Sequence, residues 1–168
     1  MKIRITKKDI LEAELMAKDT VFILEKLGIL PRLNNVKQTR LDANILGFMA
    51  EFAVCRLFET DPPRLNFATD GGVDLWIEDI SIDVKFTNHR KNGLIFDSFD
   101  KFKSRIAILV TNTPEFDVME IIGWCSKNDF MQKSYEKDFG YGVRKVLDLE
   151  RLKSIENFWY EFNRVKFE

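Results

Sequence analysis

Residues 73–87 constrain the fold more tightly than any other part of the chain. Apolar side chains fall at Val73, Leu75 and Ile77, and again at Ile82, Val84 and Phe86. Repetition at every second residue is the mark of a strand with one buried face. The stretch therefore reads as two short strands joined by a tight turn. The opposite face carries Asp74 from the first strand and Asp83 and Lys85 from the second. Residues two apart in a strand point the same way, so Asp83 and Lys85 stand side by side. Two carboxylates and an ammonium on one sheet face can hold a divalent metal and polarise a phosphate. The bland alternative is the solvated face of an ordinary hairpin, and an Asp-x-Lys triplet alone does not exclude it.

The rest of the chain bounds what such a hairpin can belong to. At 168 residues there is enough chain for one well-buried core and little for two. Apolar residues make up 45% and charged residues 32%, the proportions of a soluble globular protein. No apolar run approaches the roughly 20 residues of a membrane span, and the first residues lack the apolar segment of a signal peptide. A cytoplasmic protein with no membrane partner is the expectation. Cys55 and Cys125 are isolated, which favours reduced, partly buried thiols over a metal site. The net charge of −1 lacks the basic excess usual in nucleic-acid binders. Local clusters matter more than the sum, however. Asn88, His89, Arg90 and Lys91 form one basic stretch, and Lys101, Lys103 and Arg105 another. Either can touch phosphates, and either can be a solvated loop. No nucleotide-binding glycine loop, Gly-x-Ser-x-Gly, His-Glu-x-x-His or paired Cys/His spacing is present.

Thr6 with Asp9 three residues on predicts a helix start. That helix runs through Leu11, Leu15, Phe22 and Ile23 and closes at Gly28 and Pro31. A second helix is expected from Asn34 and Asn35 to about Glu59. Strands are expected at 65–67, 73–77 and 81–87, with a weaker one at 94–96. Residues 106–111 read as a strand buried on both faces, followed by a strand at 118–124. A short helix at 126–131, a loop at 140–142 and an edge strand at 143–146 come next. Asp148 is expected to cap a final helix with Leu149, Leu152, Ile155, Phe158, Trp159 and Phe162 on its inner side. One α/β domain over residues 1–168 results: N-terminal helices, then a mixed β-sheet, then a C-terminal helix.

The second helix carries a further acid. At about 100° per residue, Arg40, Asn44, Gly47 and Glu51 fall within roughly 60° of one another. Much of the remaining surface is apolar, so this polar stripe on a largely buried helix needs a reason. An ionised Glu51 beside Phe48, Val54 and Cys55 is costly unless paired or metal-bound. An ordinary wet face, or a pair with Arg40, also accounts for it. Asp74 follows Asp70, Gly71 and Gly72, where the glycines permit a tight turn that aims its carboxylate off the strand start. Trp76 shares the polar face and is expected to pack under the second helix, or else to stack on a base. His89, the one histidine, reads as an exposed loop residue.

Together these residues resemble the PD-(D/E)xK nuclease superfamily, the restriction-endonuclease-like and Holliday-junction-resolvase-like proteins. In that family an acid on one strand is followed by an Asp/Glu-x-Lys triplet on the next, and many members add a Glu from a preceding helix. Here Asp74 matches the first acid, Asp83-Val84-Lys85 the triplet and Glu51 the helical acid. Val73 stands where the family's name-giving Pro would be. The resemblance covers residues 47–87. It implies a restriction-endonuclease-like core, phosphodiester hydrolysis leaving a 5′-phosphate, and DNA as substrate. It implies Mg²⁺ or Mn²⁺ held by Glu51, Asp74, Asp83 and the Val84 carbonyl, with Lys85 acting on the attacking water. Many relatives are dimers, so a homodimer fits the resemblance. The competing reading is a catalytically inactive nucleic-acid- or protein-binding module that keeps the nuclease-like fold.

Overall fold

The computed structural model of the chain describes residues 1–28, 39–63, 72–89 and 92–166. The expected strand at 65–67, the helix start at Asn34 and Asn35, Pro31, and Arg90 with Lys91 lie outside them.

The fold is mixed α/β. Strand β1 (Lys2–Arg4) precedes helices α1 (Lys7–Lys26) and α2 (Arg40–Phe58). Strands β2 (Leu75–Ile77), β3 (Ile80–Thr87), β4 (Leu94–Phe96), β5 (Ile106–Asn112) and β6 (Val118–Ser126) follow. Helix α3 (Lys127–Lys133), strands β7 (Tyr135–Asp138) and β8 (Val143–Leu147), and helix α4 (Phe158–Lys166) complete the order. Five strands form one mixed sheet in the order β1-β6-β5-β3-β2, in which only the β3–β5 pair is parallel. Three more form a second, antiparallel sheet in the order β4-β8-β7. No described helix is long and apolar enough to cross a membrane.

Both long helices begin with reciprocal capping boxes. Thr6 accepts from the Asp9 N–H while Asp9 accepts from that of Thr6, and Thr39 with Asp42 repeats the device. Each box satisfies two of the amide groups that a helix start leaves without a partner. The second box sets the α2 start at Arg40. Asp9 also receives two hydrogen bonds from the Arg56 guanidinium, at 2.5 and 3.0 Å, which lock the start of α1 to the end of α2.

The five-stranded sheet has two buried faces. On one, Ile80, Ile82, Val84, Ile106, Ile108 and Val110 pack with Met49, Phe52 and Ala53 of α2. On the other, Ala107, Leu109 and Cys125 pack with Leu94, Phe96, Phe102, Phe130 and Leu147. Alternating residues of β5 thus enter different cores, as a strand buried on both faces requires. Phe96 and Phe102 stack at 4.4 Å between ring centroids, and Phe130 meets both edge-on.

Three expectations about the C-terminal half are corrected, and one strand was not foreseen. Residues 143–147 are the centre of the second sheet, because β7 pairs on one side and β4 on the other. β7, a fully exposed Tyr-Glu-Lys-Asp run, had no apolar alternation to announce it. Asp148 does not cap the last helix; it accepts from the Tyr135 hydroxyl at 2.9 Å, and α4 starts only at Phe158. Of the expected inner residues, Ile155, Phe158 and Phe162 are buried, whereas Trp159 is exposed.

Candidate functional site

The hairpin forms as its alternation requires. Leu75 lies opposite Ile82, Trp76 opposite Ser81 and Ile77 opposite Ile80. Glu78 and Asp79 make the turn, and Glu78 takes a positive φ of 53°. Ile80, Ile82 and Val84 face α2, so Ser81, Asp83 and Lys85 face the other side. That second face is not a wet one. The second sheet covers it, leaving Ser81 buried and Asp83 only 1% exposed.

Asp83 is therefore a carboxylate inside the protein, where ionisation needs a countercharge. Lys85 supplies it: its ammonium lies 2.5 Å from Asp83 Oδ1, and its side chain keeps 38% exposure. The same ammonium sits over the Phe96 ring, 5.2 Å from the centroid. The lysine thus bridges the hairpin to β4, with its charge between a carboxylate and a ring face.

Asp74 joins the site through the backbone. Its carboxylate Oδ2 accepts the Val84 N–H at 2.6 Å, which sets it against the Asp83–Val84 peptide. The geometry follows from how short β2 is. The Ser81 carbonyl accepts from Arg105 on the β5 side, and the Ile82 carbonyl accepts from Asp74 on the other. Successive strand residues turn their N–H and C=O groups to alternate edges. The Val84 N–H and C=O therefore both face the edge where Asp74 lies. Among the described residues, no strand pairs with 83–87 on that edge.

Glu51 lies on α2, half-buried, one turn before Cys55. Burial pushes the Cys55 thiol up to about 11, and the negative charges of Glu51, Asp61 and Asp74 add to that rise. Glu51 and Asp74 thus act on one buried thiol from a helix and from a strand, with Asp61 as a third acid that the sequence did not single out.

Metal-site chemistry fits part of this arrangement. Asp74, Asp83 and the Val84 carbonyl offer oxygen donors, the type that hard divalent cations take. Lys85 competes with any cation for Asp83 Oδ1. Among the described residues, no three His, Cys, Asp or Glu side chains are gathered closely enough to hold a metal ion.

Around the site, Trp76 is 60% exposed and does not pack beneath α2. As the pair partner of Ser81, it stands on the face that carries Asp83. Lys101, Lys103 and Arg105 are all exposed, as are Asn88 and His89. Lys103 and Arg105 line a cleft of about 640 Å³ together with Ser104, Ser126, Lys127, Asn128 and Met131. Lys127 was not legible as a site residue, because only the register of β5 against β6 brings it to Arg105. The cleft adjoins the turn before Asp74: Ser104 donates to the Gly72 carbonyl at 2.6 Å. No protein-family model, curated protein or solved structure matches the chain.

Proposed function

We propose that the protein is a metal-dependent DNA endonuclease of the PD-(D/E)xK type, with β3 and the hairpin as the heart of a restriction-endonuclease-like core. One observation carries the reading. Asp74 rests on the Val84 amide while Asp83 is ion-paired to Lys85, so the acid, the Asp-x-Lys triplet and an edge-facing carbonyl occupy one strand edge.

Asp74, Asp83 and the Val84 carbonyl, with Glu51 from α2, would hold Mg²⁺ or Mn²⁺. Such an ion supplies Lewis acidity toward a phosphoryl oxygen and a nucleophilic hydroxide at neutral pH. Lys85 places a fixed positive charge where negative charge grows on the phosphorus oxygens. Water adds to phosphorus, the bond to the 3′ oxygen breaks, and that oxygen leaves as a hydroxyl after taking a proton. The second sheet excludes water from behind Asp83, which keeps these charges effective.

Linear, supercoiled and branched DNA incubated with Mg²⁺ or Mn²⁺ tests the proposal. Cleavage is expected, with loss in Asp83→Asn and a fall of about 10²–10³-fold in Lys85→Ala, the usual cost of losing one preorganised charge. Cleavage that persists unchanged in Lys85→Ala removes the assignment. A binding module without chemistry is the second reading. DNA binding with no cleavage under any divalent ion would favour it.

A further inference from the structure

The end of the five-stranded sheet next to the candidate site carries one continuous row of residues. Trp76 of β2 lies directly opposite Ser81 of β3. The Ser81 carbonyl accepts from the Arg105 N–H at 3.1 Å, and Ser81 Oγ accepts from the same N–H at 3.0 Å. The Arg105 carbonyl in turn accepts from the Lys127 N–H at 2.8 Å. Trp76, Ser81, Arg105 and Lys127 are thus neighbours across four segments. At a strand spacing of roughly 4.8 Å, the row spans about 14 Å.

Trp76 and Ser81 belong to one face, and Arg105 continues it just before β5, two residues ahead of Ala107, which faces the second core. Lys127 opens α3 and meets Arg105 at the cleft. Asp83 lies on that face too, two residues from Ser81 along β3, or about 7 Å. The row therefore runs crosswise beside the site. Lys103 lies beside it, its side-chain carbons 3.1 and 3.2 Å from where a Cβ on Gly72 would sit. Lys103 and Arg105 are exposed and Lys127 is half-buried. At the opposite end, the exposed indole of Trp76 offers an uncovered aromatic surface.

We propose that this row is a binding track for single-stranded nucleic acid. Lys103, Arg105 and Lys127 take successive backbone phosphates in the cleft, and Trp76 stacks on an unpaired base. An exposed aromatic at the end of a line of cations is how sequence-tolerant single-strand sites are built, whereas a base inside a duplex has no free face to stack. The track rests on the nuclease reading for its purpose and narrows the substrate to DNA with a single-stranded segment at the cleavage point.

The test uses the full chain in metal-free buffer with chelator, so that binding is measured without chemistry. Fluorescence anisotropy with a labelled oligothymidine of about 15 nucleotides is compared with a duplex of equal length. Tighter binding of the single strand is expected. Trp76→Ala should weaken it by about 5- to 150-fold, the range of one lost base stack, while Trp76→Phe keeps most of the affinity. Removing Arg105 and Lys127 together should lower the slope of log affinity against log salt by about 1.4. Replacing Lys7 and Lys18 on α1 should leave that slope unchanged. Equal affinity for duplex, or a Trp76→Ala protein that binds oligothymidine like the parent, overturns the track. Trp76-dependent binding by a protein that cuts no DNA upholds the track and defeats the nuclease reading instead. Cleavage that is indifferent to Trp76 does the reverse.

Discussion

Replacing Lys85 by Met keeps the side chain's apolar stem against Phe96 and removes its charge, leaving Asp83 in the interior without its ammonium. Breaking a fully buried ion pair on one side costs about 3–5 kcal/mol. Asp83 is fully enclosed, but Lys85 keeps 38% side-chain exposure, so water already screens part of the attraction. Roughly half the full cost, about 2 kcal/mol, is therefore expected. For a chain of this size that corresponds to a fall in Tm of about 4–8 °C. Asp83→Asn combined with Lys85→Met removes both charges, and should recover more than 1 kcal/mol of the loss, a coupling typical of contacting residues. Thermal denaturation of the four proteins in the cycle at pH 7 reads this directly. Manganese adds a second arm, since an ion at free concentration c that binds the folded form stabilises it by RT ln(1 + c/Kd) and so raises Tm. Without the competing ammonium, Lys85→Met should gain more from Mn²⁺ than the parent, and the double variant should gain little. A Lys85→Met protein within about 0.5 kcal/mol of the parent would refute the ion-pair argument. Equal Mn²⁺ stabilisation of the parent and of Asp83→Asn would refute Asp83 as a ligand.

The other contacts give shorter tests. Burial raises the Asp9 carboxyl, but bonds from Arg56 and from the Thr6 backbone and hydroxyl outweigh it, holding the group below its ordinary 3.8. Its contribution is thus present above about pH 4 and lost below it, so Asp9→Ala should cost about 1–2 kcal/mol in urea denaturation at pH 7 and much less near pH 3. Asp129 is lowered to about 2 by Lys133, Lys153 and Ser126 against the opposing effect of burial, so its share of stability should be complete above about pH 4 and be lost progressively between there and about pH 2 in urea denaturation. Gly93 has φ +67°, and a Cβ there would lie 2.2 Å from the Leu147 carbonyl oxygen. Gly93→Ala should therefore lower Tm more than Gly123→Ala, whose Cβ meets the Lys153 carbonyl oxygen at 2.7 Å. Burial raises both thiols, Cys55 to about 11, so neither should react with a disulfide reagent at pH 8 until denaturant is added.

How far the sequence could be read depended on the range of each interaction. Asp83 and Lys85 share a face through the period of a single strand, so their adjacency was legible, as was the Thr6–Asp9 cap. Thr39 and Asp42 carried the same cap in plain view, yet the asparagines upstream drew the expected helix start away from it. What lay beyond reach was the cover over Asp83. It comes from β4 pairing with β8, with Leu94 opposite Leu147, and no local pattern encodes a partner so far along the chain. Without that cover, the face of Asp83 and Lys85 reads as open to a metal or to solvent, and Trp76 as packed under the second helix. The tryptophan is instead left exposed beside a buried carboxylate.

That cover also decides how a substrate reaches the hairpin. A phosphate cannot descend on Asp83 through the second core, where Phe96 and Phe102 are packed. The edge of β3 is different. β2 begins at Leu75, and just before it the Asp74 carboxylate takes up the outward-facing Val84 N–H. Approach along this edge brings a ligand to Asp74 and the Val84 carbonyl first, and to the partly exposed Lys85 ammonium next. Asp83 is met last, through the lysine it holds. Lengthening β2 should therefore block the site without touching Asp83 or Lys85. Asp74→Val removes the carboxylate and favours continued pairing of β2 with β3. If access is along the edge, an Mn²⁺ effect on Tm in the parent should fall further in Asp74→Val than in Asp74→Ala, which loses the same carboxylate without favouring a longer strand. An effect of equal size in the two variants would place the entrance elsewhere.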